Sequence, residues 1–380
     1  MNLLDICKIG GSSVKKFDGT RKYIATGDII DNEITSYEFV NYNSKPSRAN
    51  VEIKNNDVLF AKMKDTVKVL KANDNNINNI YSTGFYCMTP NDDVLQEYLY
   101  YYFKSESFNS QKNKNCSGAT QKAINNDGLK KIKIKFLPDV EEQNKIVKEL
   151  SYLERLTTIK NEEVNKLNLL VKSQFVEMFG EATKNEKSFP VINIGDKCFV
   201  TKLAGFEYSK YIDYKDSGDV IMVRGLNVKN QRLKLDDVYY IDQSISDSLP
   251  RSQLKNGDVC MTYVGINIGD VALVDNYYKY HLAPNVAKIS INNIEEINPQ
   301  FFVYLLAYNK SNFASNATNT AKQALNMDRI RKLSIMLPPI ELQNKFAQIV
   351  EQIDKQKFEF EKSLKKLEEL QASLMQEYFG

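Results

Sequence analysis

The chain contains a single histidine, His281, in 380 residues. Catalysis by a histidine base would rest on that one side chain, so a structural or surface role is the better interpretation of it. A Gly-x-x-x-x-Gly-Lys-Ser/Thr phosphate loop is absent, because Gly10-Gly11-Ser12-Ser13 does not continue into one. Also absent is the Asn/Asp-Pro-Pro-Tyr tetrapeptide with which amino-methyltransferases hold a flipped base. The sequence therefore predicts no catalytic residue, no metal site and no cofactor bound by this chain.

An acidic nuclease site has equally little support. Glu52-Ile53-Lys54 could form the Glu-x-Lys half of such a site, but no Pro-Asp pair lies at a suitable distance upstream. The duplicate of this tripeptide, Gln253-Leu254-Lys255, lacks the acid. We interpret Glu52 as incidental.

The cysteines are few and scattered, and none belongs to a Cys-x-x-Cys pair. This pattern favours reduced thiols in a cytoplasm. No run approaches the roughly 18 apolar residues of a membrane span. Met1–Gly10 also lacks the basic flank and apolar core of a signal peptide. We expect a soluble, cytoplasmic protein without a membrane segment.

Charge is nearly balanced, with 51 Lys and Arg against 48 Asp and Glu and a net charge of +3. The basic residues are nevertheless locally concentrated. Residues 104–135 contain eight lysines and two acids, and residues 54–71 contain five lysines and two acids. Such clusters could neutralise phosphates, although for any single lysine a solvated surface position is the simpler interpretation.

The most informative feature present is an internal duplication, in which residues 137–180 recur as residues 337–380. Leu137-Pro138-Asp139-Val140-Glu141-Glu142-Gln143 is matched by Leu337-Pro338-Pro339-Ile340-Glu341-Leu342-Gln343, and both copies end on Phe-Gly. A repeat of about 200 residues is too long for a solenoid unit. It indicates two tandem domains, each followed by a matched connector.

The connectors have the pattern of a coiled coil. Apolar residues between Ile146 and Val171 are spaced alternately by four and three, and the same register returns between Phe346 and Leu367. Neither 141–178 nor 341–378 contains Gly or Pro. Each connector therefore predicts one helix of nearly 40 residues, about 55–60 Å long at 1.5 Å per residue. Two matched seams in one chain would most simply pack antiparallel.

The segments before the connectors predict mixed α/β domains. Val58–Met63 and Val259–Tyr263 each follow a tight turn and predict strands. Tyr98–Phe103 and Phe301–Leu306 are apolar on too many sides for surface helices, so we expect packed helices whose aromatic residues belong to the core.

Further motifs recur in the same order in both halves. A loop upstream of each connector reads Ser117-Gly118-Ala119-Thr120-Gln121-Lys122-Ala123-Ile124-Asn125 and Ala317-Thr318-Asn319-Thr320-Ala321-Lys322-Gln323-Ala324-Leu325-Asn326. A strand start reads Asn56-Asp57-Val58-Leu59 and Gly257-Asp258-Val259-Cys260. The second half adds Ala283-Pro284-Asn285. Over its whole length the chain resembles the specificity subunits of type I restriction–modification systems.

The resemblance implies an α+β architecture of two mixed α/β target-recognition domains, separated by two long antiparallel coiled-coil helices, as a pseudo-twofold internal repeat. The implied parts are a first recognition domain (1–139), a central helix (140–180), a second recognition domain (181–339) and a distal helix (340–380). The implied partners are double-stranded DNA, two methyltransferase subunits and restriction/translocase subunits. S-adenosylmethionine, ATP and Mg would be bound by those partner subunits.

Candidate DNA contacts are basic or amide residues in loops, where phosphate contacts would hold register and a few polar side chains would read bases. In the first domain they are Lys62, Lys64, Lys68, Lys112, Lys114, Gln121 and Lys122. In the second they are Arg224, Asn227, Lys229, Arg251, Lys322 and Gln323. For each, a solvated surface residue is the alternative.

Large apolar residues also gather at the two helix ends, beyond what a two-helix seam can bury: Phe175, Met178, Phe179, Met375, Tyr378 and Phe379. We expect these residues to help dock the methyltransferase subunits. The alternative is that they pack on the neighbouring domain.

Two other functions remain open at this point. The chain could be a duplicated DNA-binding scaffold in another methyltransferase-based defence system, or a coiled-coil adaptor whose globular halves bind protein. Salt-dependent retention on DNA would separate the adaptor from the DNA-binding proteins.

Overall fold

The computed structural model describes residues 1–135, 137–315 and 324–380. The chain divides into two compact units. The first consists of Met1–Glu163 and Phe360–Gly380, and the second of Val164–Glu359. Each unit contains one globular segment together with parts of both connectors.

The first unit is built on two four-stranded sheets. In spatial order their strands are Cys7–Ile9, Phe85–Pro90, Val58–Ala61 and Val69–Lys71, and Glu38–Val40, Arg21–Ile24, Ile80–Ser82 and Ala49–Val51. Two short pairs join Ile29–Ile30 to Glu33–Ile34 and Cys116–Ser117 to Ala123–Ile124. The helices are Leu3–Ile6, Gln96–Lys104, Glu106–Lys114 and Asn126–Leu129, with a 3₁₀ turn at Thr26–Asp28.

The second unit has a six-stranded and a four-stranded sheet. In spatial order their strands are Cys198–Lys202, Val286–Ile291, Val259–Thr262, Val271–Leu273, Gln231–Leu233 and Val228–Lys229, and Tyr239–Ile241, Val220–Val223, Lys279–Leu282 and Gln253–Leu254. Val191–Asn193 pairs with Ser334–Met336. The helices are Ile194–Lys197, Gly205–Tyr211, Gln243–Ser248, Pro299–Tyr308, Lys310–Ser315 and Met327–Arg331, with 3₁₀ turns at Gly225–Asn227 and Pro250–Ser252.

The predicted strands after tight turns are confirmed. Val58–Ala61 is buried at every position, as a continuous apolar run in a central strand requires. The turn before it ends at Asp57, whose carboxylate accepts from the Lys54 amide at 2.8 Å. In the second unit Asp258 makes the same bond to the Lys255 amide at 2.7 Å. The repeated aspartate therefore fixes the start of the strand in both domains.

The aromatic helices are core elements, as the sequence predicts. All six residues of Tyr98–Phe103 are buried, and so are all six of Phe301–Leu306. Phe60 of the central strand lies 4.8 Å from Phe103, measured between ring centroids. These helices therefore cover the sheets and do not offer their rings to solvent.

The two connectors form uninterrupted helices of 40 residues each, Val140–Phe179 (the central helix) and Ile340–Phe379 (the distal helix). In the first unit Glu149 accepts a hydrogen bond from the Tyr378 hydroxyl, and the Lys160 ammonium lies 4.4 Å from the Phe360 ring centroid. Positions rise along one helix as they fall along the other, so the helices run antiparallel there.

The chain ends lie together in the first unit. The amino group of Met1 donates to the Ile134 carbonyl at 3.2 Å, and the Lys135 ammonium donates to the Gly380 carbonyl at 3.2 Å. Within the ranges that the structure describes, no helix has the length and apolar character needed to cross a membrane.

Candidate nucleic-acid interface

In the first unit four chain segments meet beyond one end of the sheets. They are 25–28, 62–68, 82–84 and 117–122, and together they form the first loop cluster. The Lys62 amide donates to the Gly84 carbonyl and the Lys64 amide to the Lys122 carbonyl, each at 2.9 Å. The Lys68 ammonium donates to the Thr26 carbonyl at 2.7 Å. The cluster is thus tied together largely through main-chain groups.

The second unit contains an equivalent arrangement of 224–227, 263–270, 283–285 and 324–325, the second loop cluster. The Tyr263 amide donates to the Asn285 carbonyl at 3.1 Å, as Lys62 does to Gly84. The Leu325 amide donates to the Tyr263 carbonyl at 2.8 Å, as Ile124 does to Lys62 at 2.9 Å. The two clusters are therefore the same part of a repeated fold.

The exposed charges of the first loop cluster are predominantly positive. Lys64, Gln121 and Lys122 are exposed, and Lys114 is exposed at the end of the neighbouring helix. Lys62 is half-buried, with its ammonium 4.3 Å from the Tyr86 ring centroid, and burial lowers its pKa. The sequence-predicted lysines of this domain therefore lie close together, and all but one of them are at least partly exposed.

The exception is Lys112, which is 1 % exposed. Its ammonium donates to the carbonyls of Ala61 and Thr66, and burial lowers its pKa to about 8. The expectation that Lys112 contacts DNA is thereby corrected. Its ammonium binds one carbonyl just before the 62–68 loop and one inside it, and its charge cannot reach a phosphate from there.

Arg224 stands at the edge of the second loop cluster. Its guanidinium donates to the Asp237 carboxylate at 2.7 Å and lies 4.4 Å from the Tyr239 ring centroid. The side chain is therefore held in one orientation, and its Nε is buried without a hydrogen-bond partner in the described part of the chain. Lys229 is exposed in the strand Val228–Lys229, outside the four loops. Arg251 also lies outside them and pairs with Glu207 at 3.2 Å.

Asn227 also departs from the expectation. It is fully buried, its Oδ1 accepts from the Arg224 amide at 3.0 Å, and its Nδ2 donates to the carbonyls of Lys234 and Asp237 at 2.8 Å. Asp28 caps the equivalent turn of the first unit by accepting from the Ala25 amide at 2.7 Å. Asn227 is therefore a structural residue of the turn. Lys322 and Gln323 lie outside the described residues.

Two polar residues in or next to the second loop cluster, Tyr263 and Lys202, were not predicted from the sequence. The Lys202 ammonium lies 5.3 Å from the ring centroid of Tyr263, at the end of a strand adjacent to the loops. Tyr263 occupies the place that Lys62 takes in the first unit. Aligning the two halves strand by strand would have found Tyr263, because both residues follow the matched strand directly. No comparable match between the two halves identifies Lys202.

The helix-end phenylalanines do not form an exposed patch. Phe175 and Phe179 are fully buried in the second unit, where Phe179 packs 4.8 Å from Phe301 between ring centroids. Phe379 is 6 % exposed and packs 5.3 Å from Tyr98 in the first unit. The premise that these three rings are exposed is wrong, and the alternative of packing on the neighbouring domain holds for them.

Met178, Met375 and Tyr378 are only partly buried. Met375 lines a groove of about 650 Å³ in the first unit, between the end of the distal helix and the start of the helix at Glu106. The remaining lining residues are Lys104, Ser105, Glu106, Glu368, Gln371, Ala372 and Gln376. A contact of Met178, Met375 or Tyr378 with a partner stays a prediction.

His281 lies in the interior of the second unit. The ring is fully buried, and Nδ1 lies 3.1 Å from the Ser246 hydroxyl. Burial lowers the pKa of His281 to about 4, so the ring is neutral near pH 7. Residues 1–135, 137–315 and 324–380 contain no cluster of three His, Cys, Asp or Glu side chains that could hold a metal ion.

The matched loop clusters and the paired 40-residue helices define a duplicated recognition protein with one set of loops in each domain. The family model of the type I restriction modification DNA specificity domain matches residues 1–169 and 186–372, and the chain belongs to this family. Its role is to supply DNA specificity to a type I restriction–modification system, as a recognition component and not as a catalytic one.

Curated relatives agree with this assignment. The chain is 26% identical over 293 residues to the type I restriction enzyme MjaVIII specificity subunit of Methanocaldococcus jannaschii, covering 71% of this chain and 68% of the relative. It is 24% identical over 317 residues to the MjaIX specificity subunit of the same organism, covering 77% of this chain and 70% of the relative.

Solved structures show the same fold. The S subunit of a type I restriction–modification system from M. genitalium matches with a TM-score of 0.59 at 14% identity, covering 100% of this chain and 95% of that chain. A chain from a study of complex assembly and conformational transition of the type I R-M system matches with a TM-score of 0.54 at 18% identity, covering 100% and 96%.

Proposed function

We propose that each loop cluster reads one half of a bipartite, asymmetric DNA target. The observation that carries this proposal is the repetition of the cluster: two equivalent sets of loops project from equivalent ends of two homologous domains. A protein with two readers needs a target with two parts. The bases between those parts would form a spacer that is not read.

The lysines of the first loop cluster support contact with phosphates. Lys64 and Lys122 are exposed, and a main-chain hydrogen bond holds together the two chain segments that carry them. Phosphate contacts of this kind fix the register of a protein on DNA without specifying sequence. Base-specific contacts would then come from the side chains that differ between the clusters.

The differences between the clusters support an asymmetric target. Lys62 of the first cluster is replaced by Tyr263, and Ala25 is replaced by Arg224, although the main-chain hydrogen bonds at both places are retained. Equivalent backbones with different side chains would present different donors and acceptors to the base edges. The two half-sites would therefore differ in sequence.

We further propose that two modification subunits, and restriction subunits in a larger complex, assemble on this chain. Those subunits would bring S-adenosylmethionine, ATP and Mg²⁺, which would explain why the chain itself can serve as a recognition component. The partly exposed residues at the helix ends and the groove beside Met375 are the docking candidates.

Methylome sequencing of a host with and without the gene tests the proposal. The expected result is one bipartite motif whose methylation depends on the gene. Replacing residues 181–336 with the segment of a relative should change one half-site and leave the other intact. A continuous motif, or a change in both half-sites, would contradict independent reading by the two clusters.

A further inference from the structure

Ile266 is 98% exposed on the loop 263–270 of the second loop cluster. The loop that carries it is well anchored. The Thr262 amide donates to the Asp270 carbonyl at 2.9 Å, and the Asp270 amide donates to the Thr262 hydroxyl at 3.1 Å. Ile268, two residues further on, is 3 % exposed and belongs to the domain core. The loop therefore holds one isoleucine inside and presents the other to solvent.

Backbone geometry adds to this constraint. Gly265 and Gly269 flank the tip of the loop with φ of +100° and +83°, a region that favours glycine. Around Gly265 there is open space, because an added Cβ would meet no atom within 4 Å. The tip is thus a tight turn that projects Ile266 away from the domain.

The position of Ile266 is equivalent to a polar tip in the first unit. An isolated bridge pairs Val264 with Ala324, as another pairs Met63 with Ala123. In this register Gly265 corresponds to exposed Lys64 of the 62–68 loop, and Ile266 corresponds to exposed Asp65. Ile266 therefore occupies the place of a charged residue on the surface that we assign to DNA.

The side chain of isoleucine neither donates nor accepts hydrogen bonds, so it cannot read the polar groups of a base edge. The apolar group that standard base pairs present in the major groove is the 5-methyl of thymine. We propose that Ile266 is a specificity-determining residue that contacts one thymine methyl in the half-site read by the second domain. This inference rests on the proposed function of the loop clusters.

The test uses the complex of the full chain with its modification subunits, and double-stranded DNA carrying the motif found by methylome sequencing. Deoxyuridine replaces each thymidine of the second half-site in turn, which removes only the 5-methyl group. At one position we expect the wild-type complex to bind the uracil DNA about fourfold more weakly, the effect of losing one buried methyl group. The Ile266→Ala complex should bind both DNAs equally.

Ile294→Ala is the matched control. Ile294 is also exposed, at 69%, but it follows the opposite end of the Val286–Ile291 strand from the loop cluster. This variant should keep the wild-type response to uracil. A response that is identical in wild type and Ile266→Ala, or a second half-site without an A·T pair, overturns the inference. Failure to bind any sequence would instead overturn the proposed function.

Discussion

Gln143 and Gln343 make the same three hydrogen bonds in the two units. The Gln143 carbonyl accepts from the Leu95 amide at 2.9 Å, and its amide donates to the carbonyls of Asp93 and Pro138, both at 2.9 Å. Both glutamines are fully buried at the start of a long helix. The glutamine at the end of the repeated motif therefore hydrogen-bonds the start of each long helix to the domain that precedes it.

We expect Gln343→Leu to destabilise the second unit by about 1–3 kcal/mol. The substitution removes the side-chain partner of the partly buried Asn298 amide and Glu296 carbonyl, and of the buried Pro338 carbonyl. Urea denaturation of the full chain, followed by pulse proteolysis, measures the effect. The control Gln348→Leu, at an exposed position of the same helix, should change stability little. Equal effects of the two variants would contradict a stabilising role of the Gln343 hydrogen bonds.

The sequence predicted the elements whose pattern is local. Both 40-residue helices, the strands at Val58 and Val259 and the buried aromatic helices follow from periodicity, turn residues and apolar runs. It could not predict what the helix ends contact, because a heptad pattern identifies the apolar face of a helix and not its partner. The burial of Phe179 and Phe379 depends on rings supplied by distant segments.

The sequence predicted which loops carry exposed lysines, but not the exposure of every residue. Exposed Lys64 and Lys122 were found because loops between strands commonly carry polar side chains. Lys112 could not be distinguished from them, because the carbonyls that bind it belong to Ala61 and Thr66, 51 and 46 residues away. Long-range partners of this kind leave no trace in spacing or composition.

Lys64→Ala and Lys122→Ala should each weaken DNA binding at every sequence. The slope of log K against log salt is negative, and loss of one phosphate contact should reduce its magnitude by about 0.9. Binding of the complex to target DNA over a series of salt concentrations measures this slope. Lys54→Ala is the control, since exposed Lys54 lies in the turn before the strand Val58–Ala61, at the opposite end of that strand from the first loop cluster. If all three variants had the same slope, the first loop cluster would not be the phosphate-binding surface.

Lys112→Met should change how stability depends on pH. Burial lowers the pKa of Lys112 from 10.5 to about 8. Between these values the unfolded chain holds a proton that the folded chain has lost, so the contribution of Lys112 to stability rises with pH. From about pH 7 to about pH 9.5, the stability of wild type relative to Lys112→Met should increase by about 2 kcal/mol. Urea denaturation of the full-length wild type and Lys112→Met at both pH values provides the measurement. A stability difference that does not change with pH would contradict the prediction.

Met375→Glu should reduce co-purification of the modification subunit without unfolding the chain. Met375 is partly exposed in the groove of the first unit, whereas polar substitution of buried Phe379 should unfold its surroundings. Leu370→Glu is the matched control, because Leu370 is exposed on the same helix but does not line the groove. Unchanged stoichiometry with Met375→Glu, measured on tagged complexes, would exclude the groove as a docking surface.

The long helices should determine the length of the spacer between the half-sites. For two readers that face the same side of the duplex, half-site centres should lie about one DNA turn apart, roughly 34–36 Å. One heptad inserted between Glu154 and Val164 keeps the seam in register and lengthens the central helix by about 10 Å. A second heptad at the matching place in the distal helix preserves the antiparallel contacts, including that of Lys160 with Phe360. About three base pairs span the same length at roughly 3.4 Å each. We therefore expect the doubly inserted variant to methylate the same two half-sequences with a longer spacer.

A two-residue insertion should rotate the seam out of contact and mainly destabilise the protein. Methylome sequencing of the variants decides the question, because full methylation at the original spacer would show that the helices do not set the distance.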